Sequence, residues 1–246
     1  MEINYQASRK RIEQLDCIVV EPAEQAIEVS KLAVFCHGFG ANCEDLFGLA
    51  GEILQVAKLE TGVRMIFPNA PLSLAEQGMP GGFAWWMLSV QRLIDAMESG
   101  DHDAIRKSCP EGIEDARNML VEVVESELKA LGLDERSLTM AGFSQGAMLS
   151  VEAACLGLNS PPANLCLFSG ALICEDRWKS KVERLHGTRV FQSHGSIDPI
   201  LPLITGEWLR DLLQGGGNQV DFHEFHGPHT IPPKAIEVTA QLLSDA

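Results

Sequence analysis

The pentapeptide Gly142-Phe143-Ser144-Gln145-Gly146 has the form G-x-S-x-G. It follows a short apolar run, Ser137 to Ala141, and precedes a helical pattern, Ala147 to Cys155. That strand–turn–helix setting is what gives the motif meaning, because the serine must sit on a sharp, strained turn that exposes its Oγ at the edge of a sheet. Side chains two positions to either side would collide with neighbouring backbone, and glycine at 142 and 146 removes the collision. The chemistry this suits is nucleophilic attack by Ser144 on an acyl carbon, with the backbone N–H of Gln145, at a helix N-terminus, facing the developing oxyanion.

A serine on such a turn needs an acid and a histidine, in that chain order, each on a loop after a later strand. Asp198, in His194-Gly195-Ser196-Ile197-Asp198-Pro199, directly follows a strand-like run from Arg189 to Gln192. Asp176 follows the preceding strand, Asp211 falls in a helix and Asp221 in a strand, so Asp198 is preferred as the acid. Among His223, His226 and His229, the first lies inside the last strand. His229, in Gly227-Pro228-His229-Thr230 ahead of Pro232 and the final helix, is preferred over His226 as the base. The segment Cys36-His37-Gly38-Phe39-Gly40 again follows a strand, where a second oxyanion donor belongs, and the N–H of Phe39 is assigned to it.

Two other chemistries are disfavoured by spacing. His223-Glu224-His226 reads H-E-x-H rather than H-E-x-x-H, and positions 223 and 226 of a strand face opposite ways, so no metal site is expected. Gly38-Phe39-Gly40 lacks both the third glycine and the distal acidic residue of a dinucleotide fingerprint. No cofactor is expected.

The elements that must position these residues form an α/β alternation. Apolar runs at Asp16 to Val20, Leu32 to Cys36, Arg64 to Phe67, Ser137 to Ala141, Leu165 to Phe168, Arg189 to Gln192 and Gln219 to Phe225 suit strands buried on both faces of a mostly parallel sheet. Ile113, Ala116, Leu120, Val123, Val124, Leu128 and Leu131 recur at helical spacing, with Pro110 and Glu111 suiting the first turn and Gly132 the stop. Trp208 to Leu213 and Ala235 to Leu243 read as further helices. Residues 72–110 form the one irregular stretch, with an amphipathic piece from Trp85 to Met97. Its length predicts a cap or lid rather than a bare connection, with Trp85, Trp86 and Met87 lining an acyl site.

Taken together, His37-Gly38-Phe39-Gly40, Pro68-Asn69-Ala70-Pro71 followed by Trp85, Gly142-Phe143-Ser144-Gln145-Gly146, His194-Gly195 with Asp198-Pro199, and Gly227 with His229 resemble the carboxylesterase and acyl-protein thioesterase family, also called the phospholipase/carboxylesterase family. The resemblance runs from about Leu32 to His229. It implies an α/β-hydrolase fold with helices on both faces of the sheet, while the length of the chain and the lack of a domain linker suit a single domain over 1–246. It further implies a cofactor-free hydrolase of esters or thioesters with Ser144, Asp198 and His229 as its triad, and Phe39 and Gln145 as oxyanion donors. Members usually carry an aspartate two residues after the tryptophan, where this chain has Met87, and the stretch from Leu88 to Pro110 is longer than in compact members. The same triad would also serve a peptidase or amidase. A non-catalytic ligand-binding relative usually lacks a triad residue, and none is missing.

Bulk properties narrow the partners. With 34 acidic against 19 basic side chains, the formal charge of -15 disfavours nucleic acid and anionic lipid surfaces. The expected partner is a small-molecule acyl ester or thioester, and a homodimer is left open. Seven cysteines, without a C-x-x-C pair, read as reduced thiols of a cytoplasmic protein. The N-terminus lacks the apolar core of a secretory signal, and the strongest apolar stretch, Leu165 to Cys174, is half the roughly twenty residues of a membrane span.

Overall fold

The computed structural model describes residues 3–88, 95–96 and 99–245. Its framework is an eight-stranded sheet in the order β1-β2-β4-β3-β7-β8-β9-β10. The strands are β1 (Tyr5–Ile12), β2 (Leu15–Pro22), β3 (Val29–Cys36), β4 (Gly62–Pro68), β7 (Leu138–Phe143), β8 (Asn164–Phe168), β9 (Arg189–Gly195) and β10 (Val220–Phe225). Two short strands, β5 (Leu72–Ser73) and β6 (Phe83–Ala84), pair separately. From β4 to β10 every neighbour in the large sheet is parallel, while β1 and β2 run antiparallel at one edge.

All seven strand runs read from the sequence are strands. The edge strand β1 was not anticipated, because six of its eight residues are exposed and Arg9, Lys10 and Arg11 break any apolar pattern. Its place comes from pairing with β2 across the two-residue turn Glu13-Gln14, and its charges suit an open sheet edge. The central strands bury both faces. In β3, Leu32, Val34 and Cys36 enter one core while Ala33 and Phe35 enter the other; in β8, Leu165 and Leu167 are opposed in the same way to Cys166 and Phe168. Near-continuous hydrophobicity is therefore a consequence of two helical layers rather than one.

One layer consists of α1 (Cys43–Val56) and the last helix, α7 (Pro233–Ser244). The opposite layer includes α3 (Ile113–Leu131), α4 (Gln145–Glu152), which continues into a π-helical turn over Ala153–Gly157, α5 (Glu175–Lys179) and α6 (Leu203–Gly215). The short α2 (His102–Arg106) precedes α3. Helix α3 buries the expected stripe and stops at Gly132, whose φ of 67° is left-handed, but it starts at Ile113 rather than at Pro110. Beneath the end of α4 lies Glu152, its side chain fully buried. It accepts 2.7 Å from the indole Nε1 of Trp178 and 3.1 Å from Arg117, and also pairs with Arg177, so α3, α4 and α5 meet on one satisfied carboxylate.

Two expectations require correction. Cys109 and Cys174 form a disulfide, with Cα atoms 4.6 Å apart, so not every cysteine is a reduced thiol; Cys17, Cys36, Cys43, Cys155 and Cys166 are free and buried. The bridge ties the stretch between α2 and α3 to the loop after β8, next to a backbone bond from Cys174 N–H to Ser108 O at 2.9 Å. The second concerns 72–110. Trp85 and Trp86 are 1% and 0% exposed and belong to the core, whereas Met87 is 49% exposed. The spacing that suggested an acyl-lining helical piece instead begins with two rings tucked under the sheet edge. Residues 89–94, 97 and 98 of the lid expectation, including Leu93, Ile94 and Met97, lie outside the described residues.

Burial of Trp86 predicts its energetic role. Replacing it with Ala should lower the unfolding free energy by about 3–5 kcal/mol, the range for deleting a core aromatic. Urea denaturation would measure this, and a shift within about 0.5 kcal/mol, as for an exposed substitution, would contradict the packing.

Candidate active site

The parallel register brings the C-terminal ends of five strands to one edge. Cys36 pairs with Gly142, Phe143 with Phe168, Phe168 with Ser193, and Gly195 with Phe225. The residues following each strand, His37, Ser144, Ser169, Asp198 and the loop to His229, therefore share that edge.

Ser144 stands between β7 and α4 at φ 54°, ψ −117°, a backbone conformation unfavourable for a non-glycine residue. It is held by its own N–H to Phe168 O at 2.9 Å and by Ala147 N–H to Ser144 O at 3.0 Å. A Cβ on Gly142 would strike the Gly146 carbonyl, and one on Gly146 would strike the carbonyl of Cys36. Both glycines are thus required by contact, as the motif predicted. Gln145 is the first residue of α4, where backbone N–H groups have no partner within the helix.

Against this turn lies Gly38; a Cβ there would stand 3.3 Å from the Ser144 Cβ, which places the His37–Gly40 loop beside the serine. Side chains fix the loop. His37 is buried, its Nε2 accepts from the Ala70 N–H at 3.0 Å, and its Nδ1 therefore carries the hydrogen directed at Gly38 O, 2.8 Å away. The indole N–H of Trp85 donates to His37 O at 2.9 Å, and Gly40 N–H donates to Phe83 O at 2.9 Å. The Gln145 amide completes the clamp, accepting from Trp85 N–H at 3.0 Å and donating to Trp86 O at 2.8 Å. The side-chain roles of His37, Gln145 and Trp85 were invisible in the sequence, which pointed only to backbone donors; Trp85 meets the site through its indole N–H, from the core side.

The Asp198 side chain is fully buried and its carboxylate is saturated. Oδ1 accepts from the backbone N–H groups of Ile200 and Leu201, both at 2.8 Å, and Oδ2 lies 2.6 Å from His229 Nδ1. Burial alone would raise its pKa, but the His229 hydrogen bond and the two backbone N–H groups outweigh burial and hold the carboxyl below the usual range. The His229 ring packs on Phe143, the residue before Ser144, with centroids 4.7 Å apart. Its loop is pinned from below by Ser169 Oγ donating to Thr230 O at 3.1 Å and by Ile197 N–H donating to Gly227 O at 3.2 Å.

The competing residues fall elsewhere. His226 is exposed and meets Ser196 Oγ at 3.5 Å, while His223 stacks beside Phe225 within β10. Asp176, Asp211 and Asp221 sit in α5, α6 and β10. Among the described residues no group of three metal-ligating side chains converges, and no helix is long and apolar enough to cross a membrane.

The buried histidines give the site a pH signature. Burial pushes His37 and His194 below the usual histidine value of 6.5, so both favour the neutral form when folded. Below that value the unfolded chain binds more protons than the folded one, and stability falls as pH drops. The lowered Asp198 acts in a separate window: its contribution is present above the ordinary carboxyl value of 3.8 and is lost below that. Urea midpoints should therefore hold between roughly pH 8 and 7 and decline from about 6.5 toward 5. A rising midpoint over that lower interval would contradict the assignment.

Comparison with known proteins follows the same lines. The family model described as phospholipase/carboxylesterase matches residues 15–245. The chain is similar to "Acyl-protein thioesterase 1" of Debaryomyces hansenii, 26% identical over 234 residues, covering 92% of this chain and 90% of that one. It is also similar to the protein of the same name from Mycosarcoma maydis, 24% identical with 93% and 96% covered. Among solved structures, a carboxylesterase from Mesorhizobium loti superposes with a TM-score of 0.73 at 16% identity, covering 98% and 99% of the two chains. Esterase PE8 does so with a TM-score of 0.71 at 24% identity, covering 87% and 92%. The strand order, the helices on both faces and a family match over nearly the whole sequence agree: the chain belongs to the phospholipase/carboxylesterase family of α/β-hydrolases.

Proposed function

We propose that this enzyme cleaves carboxylic esters or thioesters of small acyl substrates through an acyl-enzyme on Ser144, within a single domain. The observation that carries the reading is the 2.6 Å bond between Asp198 Oδ2 and His229 Nδ1 on the same sheet edge as the strained Ser144 turn. Ester or thioester hydrolysis is what the family supplies; the relatives named acyl-protein thioesterase and carboxylesterase support it.

In this mechanism His229 takes the Ser144 proton as Oγ attacks the acyl carbon. Asp198, ionised, keeps the imidazole oriented with Nδ1 toward it and stabilises the imidazolium. The oxyanion is bound by the backbone N–H groups of Phe39 and Gln145, the first held in place by the His37–Trp85 clamp and the second by its position at the start of α4. The imidazolium returns its proton to the leaving alkoxide or thiolate, and a water deprotonated by the same histidine then releases the acid. The expectation that Trp85 and Trp86 line an acyl site is replaced by a supporting role for both, which leaves Met87, exposed beside them, as the substrate contact from this segment.

A fluorophosphonate probe should label Ser144 stoichiometrically and abolish hydrolysis of p-nitrophenyl esters and thioesters, and Ser144→Ala should lose labelling while remaining folded. Asp198→Asn should reduce kcat by a factor on the order of 10⁴. His226→Ala should retain activity that His229→Ala loses. Labelling at another residue, or a larger loss from His226 than from His229, would defeat the assignment.

A further inference from the structure

A second histidine lies behind the Asp198–His229 pair. His194, the penultimate residue of β9, is 0% exposed, and its Nε2 stands 2.7 Å from Leu201 O. A carbonyl oxygen only accepts, so Nε2 carries the hydrogen. That same N–H lies 3.6 Å from Asp198 Oδ2, the oxygen that receives His229. Oδ2 is thus flanked by two imidazoles, one bonded to it directly and one presenting the positive end of an N–H dipole without a direct bond.

The Leu201 contact makes the arrangement more than a chance approach. Leu201 donates its own N–H to Asp198 Oδ1 at 2.8 Å and receives the His194 hydrogen at its carbonyl. The turn that cradles one carboxylate oxygen is therefore tied to the imidazole that neighbours the other. On the far side, His194 Nδ1 is buried, near the Gly170 backbone but without a hydrogen bond of normal geometry. The ring packs so closely on α6 that a Cβ at Gly206 would collide with it. A core aromatic would fill this space without burying a polar nitrogen that lacks a well-formed hydrogen bond, so packing alone does not call for an imidazole here. The titratable groups that face it are Asp198 and His229.

We infer that His194 is a positioning residue for the reaction: its Nε2–H holds the 198–201 turn and orients Asp198, and through Asp198 it sets the orientation of His229. The inference rests on the reading of Asp198 and His229 as acid and base. No proton passes through His194, whose hydrogen stays committed to Leu201.

The test compares His194→Gln, whose amide nitrogen can occupy the place of Nε2, with His194→Asn, whose nitrogen reaches only the place of Nδ1, and with His194→Phe, which has no donor. Each is assayed for kcat and KM per fluorophosphonate-titrated site and for the pH dependence of kcat/KM. The Phe and Asn variants should lose roughly tenfold or more in kcat, a part of the ~10⁴-fold that disabling the acid costs, with KM little changed. A less well placed carboxylate stabilises the imidazolium formed during the reaction less, so the acid limb of kcat/KM should move to lower pH by about 0.5–1 unit, less than the 1–3 units a full neighbouring charge supplies. Gln should restore both values toward the parent. A merely structural role would reduce thermal stability and the fraction of titratable sites while leaving kcat per site and the acid limb unchanged, and that result would overturn the inference. So would equal behaviour of Gln and Asn, a comparison that remains available if the Phe variant does not fold. If the parent chain itself is not labelled at Ser144, it is the reading of the triad that fails.

Discussion

Everything at the sheet edge depends on one strained residue. Ser144 occupies a positive-φ conformation that costs of the order of 1–3 kcal/mol for a side chain other than glycine. Such strain persists only when the surroundings over-determine it. Here the turn is fixed on each side: by the hydrogen bond to Phe168 O in β8, by the first turn of α4, and by the contact that only glycine at 146 permits with the Cys36 carbonyl of β3. The central strands β3, β7 and β8 are thereby packed to a spacing that the turn requires. The double-faced apolar core, with residues of β3 and β8 alternating between two helical layers, is what makes that spacing rigid.

A second constraint is the handling of buried polar groups. The loop carrying Gly38 and Phe39 is irregular backbone under partial burial, and irregular backbone must find partners. The partners come from His37, Trp85 and Gln145, residues distant in sequence whose bonds converge on one another. Each bond contributes about 1 kcal/mol net, but orphaning a buried partner costs about 1–3 kcal/mol, so the network holds mainly through the penalty for breaking it. This explains why two large aromatic side chains in an otherwise irregular segment are core residues: Trp85 and Trp86 bring β6 and its neighbours against the start of α4.

The electrostatics of Asp198 follow from the same accounting. A buried carboxylate would ordinarily become protonated, and here two backbone N–H groups on Oδ1 and the imidazole on Oδ2 reverse that tendency. The acid is therefore kept ionised by the geometry of its own turn, Asp198 to Leu201, with His194 behind it. In contrast, the surface-facing His226 meets only a serine hydroxyl. Only Gly227 and Pro228 separate it from His229, and the difference in environment comes from Ser169 and Ile197, which pull the end of the loop inward.

The sequence by itself determined the strand–turn–helix around Ser144, the seven strands rich in apolar residues, the long amphipathic helix and the family. These are local patterns: alternate burial on two faces, helical periodicity and glycines that relieve a predictable collision are written in adjacent residues. Tertiary structure decided what depends on residues far apart in the chain. The polar strand β1 exists because β2 offers it hydrogen bonds, not because of its own pattern. Cys109 and Cys174, 65 residues apart, pair because α3 and the loop after β8 converge. Periodicity places Trp85 and Trp86 beside an acyl pocket or in the core equally well; in the structure the Gln145 amide holds the Trp85 N–H and the Trp86 carbonyl, the His37 carbonyl holds the Trp85 indole N–H, and both rings are buried in the core. The physical reason is common to all three cases: propensity and spacing act over a turn or a strand, whereas hydrogen-bond satisfaction and close packing are conditions on the whole fold.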